Sequence, residues 1–217
     1  MNQRRRALIV SALALGAAPA WGEELRAVTA NDPAGRTLVQ RLRQGGLVLY
    51  FRHADTTGMP CDRSYRVGDR EGQRNLSPEG RAQAQSLGRA LRDLAIPWSE
   101  PVLAGPVYRA RDTAELAFGA AGVRVTDDLL ADDYAGDRLR WVLDAHRRLF
   151  NDPPPPGRNR VLVGHRTPAI LVLGPRVGGR AFPEGAALVL EPVPAGEPRL
   201  LGILALAPLE GRGFHRC

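Results

Sequence analysis

The apolar positions of the chain form short continuous runs, and amphipathic stretches of helical spacing separate these runs. The clearest run, residues 47–53, reads Leu-Val-Leu-Tyr-Phe-Arg-His and ends in two polar residues. Short runs rich in β-branched and aromatic residues are typical of strands buried on both faces, as in parallel sheets. Similar runs predict further strands at 101–105, 160–164, 186–191 and 199–206, and residues 123–130 are predicted to hold a strand and its exit loop.

The amphipathic stretches predict helices between the strands. Asp32-Pro33, followed by apolar residues three or four apart, predicts a capped helix that ends at Gly45. Ser77-Pro78-Glu79 supplies an N-cap, a first-turn proline and an acid near the positive helix end, and Pro97 stops this helix. Other helices are predicted at 108–118, at 138–150 and from 168 to 173. This alternation predicts an α/β protein, a three-layer α/β/α sandwich with a central, mostly parallel sheet.

The first 22 residues have the anatomy of a bacterial secretory signal peptide. Three arginines at 4–6 precede an apolar stretch at 7–17 and a small-residue cleavage site at 18–20. We therefore expect export by the general or the twin-arginine route, a periplasmic or secreted location, and one domain over residues 23–217. The apolar stretch is too short to span a bilayer comfortably, so we expect no stable membrane span after cleavage.

Charge and cysteine content limit the partners. The chain has a formal net charge of +7 without a single lysine, and its arginines are dispersed along the chain rather than grouped in a patch with interleaved aromatic residues. This distribution predicts no nucleic-acid partner.

The two cysteines, Cys61 and Cys217, would form one disulfide in an oxidising compartment, but their spacing does not fix the distance between them, so both the paired and the unpaired state stay open. No cluster has metal-ligand spacing, and we predict neither a metal nor a cofactor.

Two histidines follow apolar runs in the same way. Arg52-His53 ends the first run and His165 follows the run at 160–164, while Arg109 lies at the start of a helix that follows a strand. Ligands of open α/β sheets lie outside the carboxyl ends of the strands. Guanidinium groups suit phosphate oxygens, and imidazole is a nucleophile near neutral pH. Since no acidic residue adjoins the arginines in sequence, we expect a bound anion to be their partner.

Four segments together resemble the histidine phosphatase superfamily, in the branch that includes cofactor-dependent phosphoglycerate mutase. Residues 51–54, Phe-Arg-His-Ala, match the family's Arg-His-Gly, with alanine in place of glycine. Residues 76–80 match Leu-Thr-x-x-Gly, residues 109–114 match Arg-Ala-x-x-Thr-Ala, and residues 163–165 match the closing segment. The segments occur in the family's order, and the resemblance implies the histidine-phosphatase (phosphoglycerate mutase-like) fold.

The resemblance also implies roles for these residues. His53 would be the nucleophile that forms a phosphohistidine, and Arg52, Arg109 and His165 would bind the phosphoryl group. Arg74, in the long polar loop 54–76, is a further phosphate-binding candidate, although loop arginines more often face water. Arg166 stands where the acid-phosphatase and phytase branch has aspartate after the histidine, which argues against a phytase-like enzyme.

A proton must also reach the leaving oxygen. In relatives the donor is often a glutamate in a Leu-x-Glu segment shortly before a glycine. Residues 130–136, Leu-Ala-Asp-Asp-Tyr-Ala-Gly, have the same length and place Asp132 at that position. Asp133 and Glu184 are alternative donors, and two solvated loop carboxylates are an equally good interpretation of Asp132 and Asp133.

We therefore predict an exported, metal-independent phosphatase that acts on a phosphorylated small molecule or an envelope phosphate, with residues 54–76 setting specificity. One alternative is a catalytically weak phosphate- or anion-binding envelope protein that lacks an efficient proton donor. Another is a domain that docks on anionic lipid headgroups, although the dispersed arginines count against it.

Overall fold

Seven strands and six α-helices follow one another along residues 25–58, 61–194 and 196–215, the part of the chain that the computed structural model describes. The strands are β1 (Ala27–Thr29), β2 (Val48–Arg52), β3 (Val102–Ala104), β4 (Val123–Val125), β5 (Arg160–Gly164), β6 (Ala186–Glu191) and β7 (Arg199–Ala205). The helices are α1 (Pro33–Arg43), α2 (Pro78–Asp93), α3 (Tyr108–Phe118), α4 (Asp132–Ala135), α5 (Leu139–Asn151) and α6 (Arg166–Leu173).

All seven strands belong to one sheet, in the order β1-β7-β6-β2-β5-β3-β4. The central strand β2 pairs in parallel with β5 and antiparallel with β6. Strand β6 is also antiparallel to β7, so it is the one strand of this sheet that runs against the others. The predicted mostly parallel sheet is confirmed.

Helices cover both faces of the sheet. Leu49 and Phe51 of β2 belong to the hydrophobic core beneath α1, α2 and α3. Val48 and Tyr50, which alternate with them, belong to the core beneath α5 and α6. Because side chains of a strand point alternately to opposite faces, the continuous apolar run of β2 serves two cores. The three-layer α/β/α sandwich is confirmed.

Local predictions held at one helix start and failed at another. Ser77 caps α2 as expected, since its Oγ accepts a hydrogen bond from the backbone N–H of Gly80 at 2.8 Å. Asp32 makes no side-chain cap to α1, and its carboxylate instead accepts from Thr29 N at 2.6 Å and Thr29 Oγ1 at 2.9 Å. The predicted cap is therefore wrong, because the preceding turn offers closer donors. The three-residue strand β1 was not predicted, since it is too short to show a period.

Two predictions concern residues that lie partly outside the described ranges. The predicted signal peptide, residues 1–22, lies wholly outside them, so cleavage and export stay predictions. Cys61 is disulfide-bonded, whereas its predicted partner Cys217 lies outside the described residues, and the pairing as such stays a prediction. Within the described ranges, no helix is long and apolar enough to cross a membrane.

Candidate active site

The carboxyl ends of β2 and β5 bring the two predicted pocket histidines together. Arg52 pairs with Gly164 in the parallel register, and the backbone N–H of His53 donates to Gly164 O at 3.0 Å. The residue after each strand end is a histidine, and the ring centroids of His53 and His165 lie 5.5 Å apart. Helix α3 follows the next strand, β3, and carries Arg109 to the same edge of the sheet.

These side chains border a cleft of about 320 Å³. All the predicted site residues line it. The lining consists of Arg52, His53, Asp62, Tyr65, Arg74, Arg109, Ala131, Asp132, Asp133, His165, Arg166, Thr167 and His215. The side chain of Arg74 is only 7 % exposed, so the interpretation of Arg74 as a water-facing loop residue is wrong.

His53 is held in one tautomer. Its Nδ1 lies 2.9 Å from the carbonyl oxygen of Ala54, and a carbonyl can only accept, so Nδ1 carries the proton. Nε2 then keeps the free lone pair. Burial, together with the charges of Arg109 and Arg52, holds the pKa of His53 well below its usual value. His53 is therefore neutral and nucleophilic at neutral pH.

Short contacts join the backbone that follows His53 to the motif segments 76–80 and 109–114. Thr113 Oγ1 of α3 accepts from Ala54 N at 2.9 Å and donates to Arg109 O at 2.7 Å. Gly80 packs its α-carbon against the backbone of Asp55, where an added Cβ would lie 1.9 Å from the carbonyl oxygen. These contacts explain the threonine in the 109–114 segment and the glycine in the 76–80 segment, because both sit against the backbone that follows His53.

His165 is fixed by a residue that the sequence did not single out. The hydroxyl of Tyr50 donates to His165 O at 2.7 Å and accepts from His165 N at 2.8 Å. The neighbouring Gly164 has no room for a side chain, since a Cβ there would lie 2.4 Å from that hydroxyl oxygen. Tyr50 lies in the apolar run of β2, where its only sequence feature was its hydrophobicity.

Arg52 binds the carboxylate of Glu184, a buried residue that does not border the cleft. Its Nη2 donates to Glu184 Oε1 at 3.0 Å, and its Nη1 donates to the carbonyl oxygens of Phe182 and Gly213 at 3.0 and 3.3 Å. Burial lowers the pKa of Arg52 to about 10 while Glu184 opposes the shift, so the guanidinium remains charged at neutral pH. Both side chains of this ion pair are almost completely buried.

Arg109 has a carboxylate partner as well. Its Nη1 donates to Asp62 Oδ2 at 2.8 Å, and the same oxygen accepts from the hydroxyl of Tyr134 at 2.7 Å. The other oxygen of Asp62 accepts from the backbone N–H of Arg74 at 2.6 Å. Although burial opposes it, Tyr134 and Arg109 lower the pKa of Asp62, which is therefore ionised. Nothing in the loop sequence marked Asp62 as a site residue.

Arg52 and Arg109 therefore have carboxylate partners, whereas the sequence predicted a bound anion in that role. The carboxylates come from residues 132 and 47 positions away along the chain, so adjacency in sequence could not reveal them. Some nitrogen atoms of the cleft residues nevertheless have no partner. Arg52 Nε, Arg109 Nε and His165 Nε2 are buried and have no hydrogen-bond partner within the described residues. Unpaired buried polar atoms are costly, and the three residues that carry them all line the cleft, where an oxyanion would be a suitable partner for their side chains.

Asp132 is the candidate donor that borders the cleft with a shifted pKa. Burial, reinforced by the charge of Asp133, raises the pKa of Asp132 to about 6. Asp133 also borders the cleft but is exposed. Glu184 does not border the cleft and is bonded to Arg52 behind it. Position and pKa thus favour Asp132 over the two alternatives as an acid that is partly protonated near neutral pH.

One group of possible metal ligands occurs in the described part of the chain. Asp55, Glu184 and His215 offer ligand atoms within 4.8 Å of one another. Their carboxylates already face arginine, since Glu184 binds Arg52 at 3.0 Å and Asp55 lies 3.4 Å from Arg212. Guanidinium groups thus already balance the charge that a metal would neutralise. The predicted metal independence stays a prediction.

Replacing Asp62 with alanine should lower the free energy of unfolding by about 3 kcal/mol, since removal of one partner strands the other charge of a buried pair. Arg109 and Tyr134 would each lose their acceptor. Urea unfolding measures the change. Asp137→Ala removes an exposed aspartate and should change the free energy by no more than about 0.5 kcal/mol. A loss below about 1 kcal/mol for Asp62→Ala would show that Asp62 does not hold Arg109.

Comparison with known proteins agrees with this geometry. Residues 48–137 match the family model described as histidine phosphatase superfamily (branch 1), a range that contains Arg52, His53 and Arg109. No curated protein sequence matches the chain. Residues 48–137, which hold three of the four motif segments, are thus similar to the histidine phosphatase superfamily, and the resemblance predicted from the motifs is confirmed.

Two solved structures have the same fold. The protein histidine phosphatase SixA complexed with tungstate has a TM-score of 0.51 and 17% identity, over 73% of this chain and 96% of that chain. A mycobacterial glucosyl-3-phosphoglycerate phosphatase complexed with VO3 has a TM-score of 0.51 and 20% identity, over 75% of this chain and 100% of that chain. At these identities the likeness concerns the fold alone.

Proposed function

We propose that the protein is a phosphatase that hydrolyses phosphate monoesters through a phosphohistidine on Nε2 of His53. One observation carries the proposal. A neutral histidine, fixed by its Nδ1–H on Ala54 O, borders a cleft lined by Arg52, Arg109 and His165, each of which has a buried nitrogen without a hydrogen-bond partner among the described residues. A tetrahedral oxyanion is the ligand that satisfies such donors, and a fixed imidazole lone pair is a nucleophile toward its central atom.

In the first step Nε2 of His53 attacks the phosphorus atom in line with the leaving group. The P–N bond forms as the bond from phosphorus to the leaving oxygen breaks, and Asp132 donates its proton to that oxygen. Arg52, Arg109 and His165 stabilise the charge on the equatorial oxygens during transfer.

In the second step water hydrolyses the phosphohistidine. The carboxylate of Asp132 takes a proton from the attacking water, the new P–O bond forms, and the P–N bond breaks. Inorganic phosphate leaves, His53 regains its lone pair, and Asp132 is again protonated. No further reactant is needed, so the cycle balances with water alone.

The substrate is proposed to be a phosphorylated small molecule or an envelope phosphate. The cleft of about 320 Å³ has room for a phosphoryl group and a small adjoining moiety. Tyr65, which is 47% exposed and packs edge-on against Tyr134, borders it within the loop 54–76. The tungstate and VO3 bound by the two relatives are oxyanions that resemble phosphate in shape.

A periplasmic or secreted location is part of the proposal. The signal-peptide pattern of residues 1–22 and the disulfide-bonded state of Cys61 support it, since disulfides persist mainly in oxidising compartments.

The purified protein should hydrolyse an aryl phosphate such as p-nitrophenyl phosphate between about pH 5 and pH 8, and vanadate should inhibit it. Activity should survive an excess of chelator, because no step uses a metal. Loss on chelation that is restored by a divalent cation would contradict metal independence. Absence of turnover while vanadate still binds would instead favour the anion-binding protein.

A further inference from the structure

The end of the chain contributes to the wall of the phosphate cleft. We call residues 212–215, Arg-Gly-Phe-His, the C-terminal clasp. Arg212 Nη1 lies 3.1 Å from a carboxylate oxygen of Glu79 and 3.4 Å from one of Asp55. The guanidinium of Arg180 lies over the ring of Phe214 at 4.5 Å from its centroid. These contacts attach the clasp to both α2 and the loop that precedes β6.

Gly213 places the backbone of the clasp against Arg52, the last residue of β2. Its carbonyl oxygen accepts from Arg52 Nη1 at 3.3 Å and from the backbone N–H of Glu184 at 2.9 Å. The turn that allows this has φ +90° at Gly213, a conformation that a residue with a side chain adopts only with strain. The clasp thus supplies one of the acceptors that orient the Arg52 guanidinium.

His215 approaches the same arginine from the other side of Glu184. Its Nδ1 lies 3.0 Å from Glu184 Oε2 and 3.3 Å from Thr56 Oγ1. Since a carboxylate only accepts, Nδ1 carries a proton toward Oε2. The side chain of His215 is 30% exposed, and it borders the cleft together with His53 and His165.

The two oxygens of Glu184 face different neighbours, and Oε1, which binds Arg52, also accepts from Thr56 Oγ1 at 3.4 Å and lies 3.9 Å from Arg74 Nη2. Oε2 accepts from His215, and Oε1 accepts from Arg52 Nη2 at 3.0 Å. The two oxygens belong to one rigid carboxylate group, so a hydrogen bond at Oε2 restricts rotation of the whole group. The hydrogen bond from His215 therefore helps to fix the position of Oε1, the oxygen that binds Arg52. The plane of the guanidinium is then set by three acceptors, namely Glu184 and the carbonyl oxygens of Phe182 and Gly213.

We propose that His215 is a positioning residue of the phosphate cleft, which orients Arg52 through Glu184. The proposal rests on the proposed function, because its effect is on the binding of a phosphoryl group. None of the motifs that carry the family resemblance includes His215, and it lies far beyond the range 48–137 that the family model matches.

The test compares three variants of the full protein by calorimetric titration with vanadate and by turnover of an aryl phosphate. His215→Ala removes the donor to Glu184 and should weaken vanadate binding about tenfold and raise KM by the same factor. A factor of about ten corresponds to the free energy of one hydrogen bond to a charged group. His215→Asn keeps an N–H near the position of Nδ1 and should restore binding to within about threefold of the unaltered protein. Glu210→Ala, an exposed change just before the clasp, should leave binding unchanged.

A loss confined to KM and vanadate affinity, rescued by asparagine, supports the positioning role, because general loosening of the fold would not be rescued. If His215→Ala binds vanadate as tightly as the unaltered protein while turnover is normal, the role of His215 is wrong and the proposed function stands. An equal loss in His215→Ala and His215→Asn would also overturn it. If the unaltered protein neither binds vanadate nor hydrolyses the ester, both proposals fail.

Discussion

Replacing His53 with alanine should abolish hydrolysis of phosphate monoesters, with a loss in kcat of at least about 10⁴-fold, the scale seen when a covalent nucleophile is removed. The variant should still bind vanadate, because the guanidinium groups of Arg52 and Arg109 remain in the cleft. Steady-state turnover together with calorimetric titration separates these two effects.

The covalent intermediate gives a second measurement on the same variant. Rapid quenching of the unaltered protein with a labelled substrate should trap a phosphoenzyme that is labile in acid and stable in base, and the label should be missing in His53→Ala. His165→Ala serves as the matched histidine change, since it removes a binding donor and should lower turnover while leaving the label. A label that survives acid and is released by hydroxylamine would indicate an acyl phosphate and exclude His53 as the nucleophile.

Replacing Asp132 with asparagine should reduce kcat about 10²- to 10⁴-fold for alkyl phosphates and far less for aryl phosphates. An alkoxide is a poor leaving group that requires the proton, whereas an aryl oxide leaves without full protonation. Comparison of an alkyl and an aryl ester on the same preparation measures the difference. Equal losses on both esters would contradict the role of Asp132 as acid.

Asp132 also determines how kcat/KM is expected to depend on pH. A general acid acts in its protonated form, so kcat/KM for an alkyl ester should fall as the pH rises above the pKa of Asp132, about 6. The pKa of His53 is well below its usual value, so His53 stays neutral and adds no change in that range. Asp132→Asn should remove the alkaline decline.

Asp133→Asn is the matched control for the pH profile. The charge of Asp133 helps to raise the pKa of Asp132, so its removal should move the alkaline decline to lower pH while the donor remains. A profile that does not move would show that the two carboxyl groups are not coupled.

Much of the fold followed from local pattern. The apolar runs placed β2 and β5, the Ser77 cap placed the start of α2, and the alternation of elements predicted the three layers. Local propensity and periodicity act over a few residues, which is the range that a sequence displays directly. Prediction failed at Asp32, whose carboxylate accepts hydrogen bonds from Thr29 in the preceding turn and makes no cap to the helix.

The sequence by itself determined which side chains follow the strand ends, and therefore that Arg52, His53 and His165 share one edge of a sheet. The tertiary structure decided what holds them. Glu184 lies 132 residues from Arg52 along the chain, and Tyr50 lies 115 residues from His165. Such partners are brought together by strand register and by packing over long chain separations. A pattern within a short window contains no information on that register, so only the folded chain shows how the phosphate cleft is positioned.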